Sequence, residues 1–230
     1  MRCSYHGSMT FQAILFDCDG VLVDSEPITN GVLRDMLQEQ GWRMTPAQCM
    51  DFFVGKAVKD ERTTIEAHTG RPLTEAWLQA FRERRNAALD RHLTVIPGAH
   101  DGVVAAFAHA GGRIACASGA DRFKVELQLQ KVGLMAHFEG RIFSGHEMPR
   151  SKPAPDVYLA AAAHLAVPAE RCLVIEDTAT GARAGLSAGA TVWGYCPHGD
   201  GRAFADLPVA RVFRHMQDLP GLLQALEHSI

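Results

Sequence analysis

Short apolar runs alternate with helix-like stretches along most of this chain. Residues 13–16, 113–117, 141–143, 171–175, 191–195 and 210–213 have the composition of buried strands. The second run leads into a helix over 121–131 that stops at Gly133, and the fourth into a small-residue helix, TGARAGLSAG. Strands that alternate with helices predict a parallel sheet covered on both faces. Residues 28–93 break the rhythm, with helical patterns and no strand. Ser25 is placed to cap a helix whose first turn holds Glu26 and Pro27 and which ends at Gly41. Thr45-Pro46 opens a second helix, and Thr74 caps a third that runs through Trp77, Leu78 and Phe81 to about His92. The pattern predicts an α/β domain with a helical insertion after its first strand, re-entered near Pro97-Gly98. The expected division is a flexible tail at 1–10, a core from 11–26 and 95–230, and a helical domain at 27–94.

In open parallel sheets, ligands bind outside the carboxyl ends of the strands. The residues that follow each run are therefore the first place to look for chemistry. The first run ends in Asp17 and Asp19, within FDCDGVLVDSEP. The second is followed by Ser118-Gly119 and the fourth by Glu176-Asp177, while Lys152 lies in SKPAPD, ahead of a helix near Pro155. These sets, distant in sequence, are predicted to meet at one edge of the sheet. Four carboxylates make six pairs, and each pair at ~4 Å in an effective dielectric near ~20 costs about 4 kcal/mol. A divalent cation offsets that repulsion, and all-oxygen donors suit Mg²⁺. Lys152, Ser118 and backbone N–H groups at helix starts supply what a phosphate needs, and Gly20 and Gly119 let the backbone come close. Alternation along a strand aims Asp17 and Asp19 at one substrate and turns Cys18 towards the core. A carboxylate can be a nucleophile towards phosphorus, and a second can protonate the leaving oxygen and then activate water.

Composition narrows the partners. The chain is 47% apolar, so a sizeable core is expected and disorder is not. Its 23 basic and 26 acidic residues give a net charge of −3 without long like-charged blocks, which argues against nucleic acid or an anionic membrane as partner. No apolar stretch approaches the ~20 residues of a membrane span. The opening MRCSYHGSM lacks the apolar core of a signal peptide. The six cysteines form no CxxC pair, and Cys18, Cys116 and Cys172 sit in or beside apolar runs, so reduced, buried thiols and a cytoplasmic location are expected. The glycines of TGARAGLSAG follow GxxxG rather than a dinucleotide-binding pattern and predict close helix packing. The histidines show no metal-ligand spacing, and the run Arg82 to Arg85 reads as a solvated helix face.

Taken in order, DCDGVLVDSE, ASG, SKPAPDVY and IEDTATG resemble the four motifs of the haloacid dehalogenase superfamily and span nearly the whole chain. The insertion after DSE resembles the cap of the β-phosphoglucomutase-like group. The resemblance implies a Rossmann-like core with a helical cap. It implies Asp17 as the phosphoryl-accepting nucleophile, and Asp19 as the general acid/base that also gives a backbone carbonyl to Mg²⁺. Ser118 and Lys152 would hold the phosphoryl group, with Gly119 beside them. Glu176 and Asp177 would bind Mg²⁺ together with Asp17. The stretches IFSGHEMPRSKP and GYCPHGDG are similar to bacterial sugar-phosphate phosphatases, 6-phosphogluconate phosphatases among them.

Two positions depart from the mutases of that group. Thr29 stands where they carry a hinge histidine, and Val58 where they carry a cap arginine that grips a second phosphate. Both departures favour hydrolysis over return of the phosphoryl group. Lys56 and Lys59 remain to contact an anionic substrate, and Trp77 is a third specificity candidate. The expectation is a monomeric Mg²⁺-dependent phosphatase acting on a small phosphorylated metabolite, a sugar phosphate foremost. The first alternative is a sugar phosphomutase with the same chemistry. A receiver-type signalling module is about half this length and carries its phospho-acceptor on a central rather than the first strand. A non-catalytic binding protein would not need the intact motif set.

Overall fold

The structure, a computed structural model, describes residues 11–54 and 56–227; the tail expected at 1–10 lies outside the described residues. Strands β1 (Ala13–Phe16), β2 (Ile114–Ser118), β3 (Ile142–Ser144), β4 (Cys172–Glu176), β5 (Thr191–Tyr195) and β6 (Arg211–Phe213) form one sheet in the order β3-β2-β1-β4-β5-β6. All neighbouring pairs are parallel. Helices α1 (Glu26–Glu39), α2 (Pro46–Phe53), α3 (Arg62–Thr69) and α4 (Glu75–His92) follow β1. Helix α5 (Ala99–His109) leads to β2, α6 (Arg122–Lys131) and α7 (Met135–Phe138) to β3, and α8 (Asp156–His164) to β4. Helix α9 (Ala179–Ser187) leads to β5, and α10 (Leu219–Glu227) follows β6. The strand order reverses between β1 and β4, which puts the ligand-binding crevice at the carboxyl end of β1.

Side chains alternate across the sheet. Ile14 and Phe16 pack with Val103 of α5, Leu129 of α6 and Leu219 of α10. Ala13 and Leu15 face the other way, towards Val157 and Tyr158 of α8 and Ala182 of α9. Both faces are buried, so the strands read as continuous apolar runs. A third cluster joins Leu33 and Leu37 of α1, Phe53 of α2, Ile65 of α3, and Leu78 and Phe81 of α4. Each of these fully buried side chains stabilises its cluster by roughly 1.5–3 kcal/mol. Helix α4 joins two clusters: Phe81 belongs to the third, while Leu89, two turns on, packs beneath the sheet with Phe16.

Local signals explain the helix ends. Thr45 accepts from the Gln48 N–H at 3.2 Å while the Gln48 side chain accepts from the Thr45 N–H at 2.9 Å, a reciprocal cap. Thr74 accepts from the Trp77 N–H at 3.2 Å. Ser25 departs from expectation. It makes no cap bond; its hydroxyl donates to the Asp19 carboxylate instead. The GxxxG helix is α9, and a Cβ on Gly185 would lie 2.9 Å from Val192 Cγ2 and 3.1 Å from Val174 Cγ1, so Gly185 serves close packing on the sheet. Cys18, Cys49, Cys116 and Cys172 are buried free thiols. Among the described residues, no helix is long and apolar enough to cross a membrane.

Candidate active site

Strand β1 delivers Asp17 to the crevice. Its N–H still donates to the Ile175 carbonyl at 3.0 Å, which fixes the backbone while the carboxylate leaves the sheet. Lys152, from the turn before α8, places Nζ 2.7 Å from Asp17 Oδ1 and 2.7 Å from Glu176 Oε1. Tyr158 completes the group. Its hydroxyl accepts from Lys152 at 3.0 Å and donates to Glu176 Oε1 at 2.8 Å. Glu176 Oε2 accepts from the backbone N–H groups of Asp177 and Thr178 at 3.1 and 3.2 Å. Burial raises the Asp17 carboxyl to about 7, against the Lys152 charge that lowers it, with Glu176 and Asp19 adding to the rise.

Two glycines make room for these carboxylates. A Cβ on Gly181 would stand 1.7 Å from Glu176 Oε1. Gly20 has φ +77°, and a Cβ there would stand 2.0 Å from Asp177 Oδ2.

The donor set fits a hard divalent cation. Asp17, Glu176 and Asp177 each offer an oxygen, and these oxygens lie within 4.8 Å of one another. Asp177 Oδ1 is buried with no hydrogen-bond partner. Burial, then the charges of Glu176 and Asp17, push the Asp177 carboxyl well above the usual range. A bound cation removes that penalty. The Asp19 carboxylate stands outside this set; the role expected of Asp19 there runs through its backbone carbonyl.

The Asp19 side chain has partners that sequence reasoning missed. Oδ1 accepts from Lys124 Nζ at 2.7 Å, from Gln128 Nε2 at 2.8 Å and from the Ser25 hydroxyl. Burial alone would raise this carboxyl, but the Lys124 charge and these hydrogen bonds outweigh it and hold Asp19 at about 2. Lys124 and Gln128 are four residues apart on α6 and both are buried beside Val125 and Leu129, so they share one inward face, with no polar stripe in the sequence to single them out. Cys18, between the two aspartates, is fully buried in the core as expected.

Ser118 is 1% exposed at the end of β2, and its hydroxyl accepts from the Ala120 N–H at 3.1 Å. Asp121, not Ser118, caps α6 through the Lys124 N–H at 3.0 Å. Asp121 also takes an ion pair from Arg85 of α4 at 2.9 Å, and the Arg85 side chain is only 9% exposed. The run Arg82 to Arg85 is therefore not a uniformly solvated face. Glu83 and Arg84 are exposed, Arg82 is half-buried and Arg85 is buried. A Cβ on Gly119 would meet no atom within 4 Å, so the space beside it is open to a ligand.

One cavity of about 650 Å³ collects the candidates. Asp17, Asp19, Ser118, Gly119, Lys152, Glu176, Asp177 and Lys56 all line it. Lys56 is exposed and paired with Glu61 at 3.4 Å. Thr29 and Val58, the two positions that depart from the mutases, also line it, and the Thr29 hydroxyl is buried without a partner. Trp77 does not. It stacks on Phe81 at 6.1 Å between ring centres and packs against the third cluster, so it is structural rather than a specificity residue. His146, unremarked in the sequence, lines the cavity from the turn after β3.

The parallel sheet carries at its switch point a buried aspartate–lysine–glutamate group that lines the cavity, the framework of a hydrolase of the α/β class. The model of the haloacid dehalogenase-like hydrolases matches residues 11–189, and the chain belongs to that family. It is similar to the 6-phosphogluconate phosphatase of Escherichia coli (strain K12), at 27% identity over 93% of this chain and 95% of that one. It is also similar to the phosphoglycolate phosphatase of Nitrosospira multiformis, at 26% identity over 95% of this chain and 98% of that one. Among solved structures, a haloacid dehalogenase family hydrolase from Deinococcus radiodurans R1, with bound phosphate and sodium, superposes with a TM-score of 0.78. It shares 33% identity, covering 95% of this chain and 97% of that one.

Proposed function

We propose that this protein is a Mg²⁺-dependent phosphatase of a small phosphorylated metabolite, a sugar phosphate foremost, acting through an aspartyl-phosphate. The buried group of Asp17, Lys152 and Glu176 beside the partnerless Asp177 oxygen carries this reading. The relatives named as phosphatases support it.

Asp17 attacks phosphorus and the ester oxygen leaves, forming an acyl phosphate; a water then attacks that phosphate and restores the carboxylate. Lys152 favours the ionised form of Asp17 against its burial and, with Ser118 and the Gly119 backbone, draws in the phosphoryl oxygens. Mg²⁺, held by Asp17, Asp177 and Glu176 with the Asp19 carbonyl, supplies charge neutralisation for those oxygens when bound. Asp19 gives a proton to the leaving oxygen and takes one from the attacking water. Held by Lys124, Gln128 and Ser25, it is a carboxylate, the form needed for the second step. For the first step its carboxyl has to leave Lys124 and take up a proton. Residues 27–94 act as the cap that closes over the site and excludes bulk water during the first step.

The test is free-phosphate release from hexose phosphates with Mg²⁺ and with a chelator. The account expects release that the chelator abolishes. Conversion of β-glucose 1-phosphate to glucose 6-phosphate without phosphate release would favour the mutase, against which Thr29 and Val58 both speak.

A further inference from the structure

The phosphatase reading gives no task to the cavity wall that α1 builds. Glu26, Thr29 and Asn30 stand at i, i+3 and i+4 on one face of that helix, and all three line the cavity. Asn30 is 5% exposed, and its Nδ2 donates to Glu26 Oε2 at 2.9 Å and to the Glu26 carbonyl at 3.0 Å. The carboxylate is thereby held in one orientation, with Oε1 free of hydrogen bonds among the described residues. No ion pair neutralises it among those residues: Lys124 pairs with Asp19, and Lys152 with Asp17 and Glu176. Thr29 Oγ1 is buried with no hydrogen-bond partner. The wall therefore presents an oriented acceptor beside a hydroxyl whose bonds are unmade, and a ligand with O–H groups satisfies both.

This wall stands beside the reacting centre. Burial and then the Asp19 charge push the Glu26 carboxyl above the usual range, against Lys124, and the Glu26 charge adds to the rise of Asp177. In the phosphatase reading Asp19 protonates the leaving oxygen, while Lys152, Ser118 and Gly119 hold the phosphoryl oxygens. Glu26 is thus a neighbour of the leaving alcohol. A hydroxyl on that alcohol donates to Glu26, whereas a carboxylate in the same place meets a like charge.

Resting on the phosphatase reading, we infer that Glu26 and Thr29 select the leaving alcohol, by bonding hydroxyls within two carbons of the phosphorylated one. Glu26 also acts negatively: it rejects phosphate esters whose neighbouring carbon is a carboxylate, phosphoglycolate among them. A hydrogen bond to a charged acceptor amounts to about tenfold or more in specificity, and the bond to Thr29 to a few-fold, roughly threefold.

The experiment compares kcat/KM with Mg²⁺ for four small phosphate esters that differ beside the ester. They are glycerol 3-phosphate (hydroxyl), propyl phosphate (methyl), phosphoglycolate (carboxylate) and phosphoethanolamine (ammonium). Each ratio is taken within one preparation of the wild type, Glu26→Gln, Thr29→Val or Thr29→Ser, so a partial fold defect cancels. The wild type should prefer glycerol 3-phosphate to propyl phosphate by about tenfold or more, with phosphoglycolate the poorest. Glu26→Gln should raise the phosphoglycolate to glycerol 3-phosphate ratio about tenfold or more, because an amide accepts a hydrogen bond without repelling an anion. Thr29→Val should cut the glycerol 3-phosphate to propyl phosphate ratio roughly threefold, and Thr29→Ser should restore it. The wild-type order tests the inference without any variant. Preference for phosphoglycolate, or for phosphoethanolamine, overturns it, as do equal rates on all four or ratios that survive both Glu26→Gln and Thr29→Val. No turnover of the four by a wild type that cleaves hexose phosphates also overturns it and leaves the phosphatase reading standing. Failure on the hexose phosphates as well overturns both.

Discussion

Replacing Lys124 with methionine removes the cation that Asp19 faces and leaves a carboxylate buried without it. The two side chains are 8% and 16% exposed and 2.7 Å apart, so water screens the pair little. Asp19 is lowered from 3.8 to about 2. At roughly 1.4 kcal/mol per pKa unit, that depression contributes about 2.5 kcal/mol to stability at neutral pH. The contribution is present above the unfolded value of 3.8 and is lost as pH falls through about 2. Because the depression is net of a burial effect in the opposite direction, deleting Lys124 should cost somewhat more, about 3 kcal/mol. In the variant the Asp19 pKa goes up, so the stability gap is greatest above that raised value and narrows as pH falls. Urea unfolding reads this directly: with a slope near ~3 kcal/mol/M, the midpoint should drop by about 1 M at pH 8 and by less at pH 5. In an Asp19→Asn background the same substitution should cost at least ~2 kcal/mol less, since no charge is then stranded. A loss below about 0.5 kcal/mol, or an equal loss in both backgrounds, would refute the reasoning.

Other outcomes follow from the same geometry. Tyr158→Phe deletes the hydroxyl that links Lys152 to Glu176, and at about 1.5 kcal/mol for that contact kcat should fall roughly tenfold; an unchanged kcat in steady-state assays would remove Tyr158 from the site. Gly181→Ala drives a methyl into Glu176 Oε1, so Mg²⁺ binding should weaken by about tenfold or more, measured by calorimetry; unaltered affinity would show that Glu176 is not a ligand. Since Asp17 sits at about 7 and Asp177 above the usual carboxylate range, Mg²⁺ must displace protons. Its affinity should therefore rise with pH through about 7; titration in buffers of different ionisation enthalpy measures the proton release, and none at pH 6.5 would contradict the ligand set.

The sheet and its motif residues were legible because their signals are local. Each predicted strand is present with no boundary off by more than one residue, and Thr45 and Thr74 cap helices as their spacing implies. The interactions that sequence reasoning missed are long-range. Lys124 meets Asp19 across 105 positions and Arg85 meets Asp121 across 36, and both depend on how α6 and α4 pack rather than on any short pattern. Ser25 illustrates the competition. Its position suits a helix cap, but the Asp19 carboxylate is within its reach and charged, and a bond to a charged acceptor is the stronger one. Trp77 was misjudged for a related reason: an aromatic residue in the inserted helices fills their own small core before it is available to a substrate.

The central claim is that Asp17 is the group that takes the phosphoryl. The most direct measurement is acid-quench mass spectrometry of the protein during turnover, alongside phosphate release by Asp17→Asn. The account predicts a phosphoryl adduct on the peptide carrying Asp17 in the wild type, and a folded Asp17→Asn variant that releases no phosphate. Retained Mg²⁺-dependent phosphate release in that variant would contradict it.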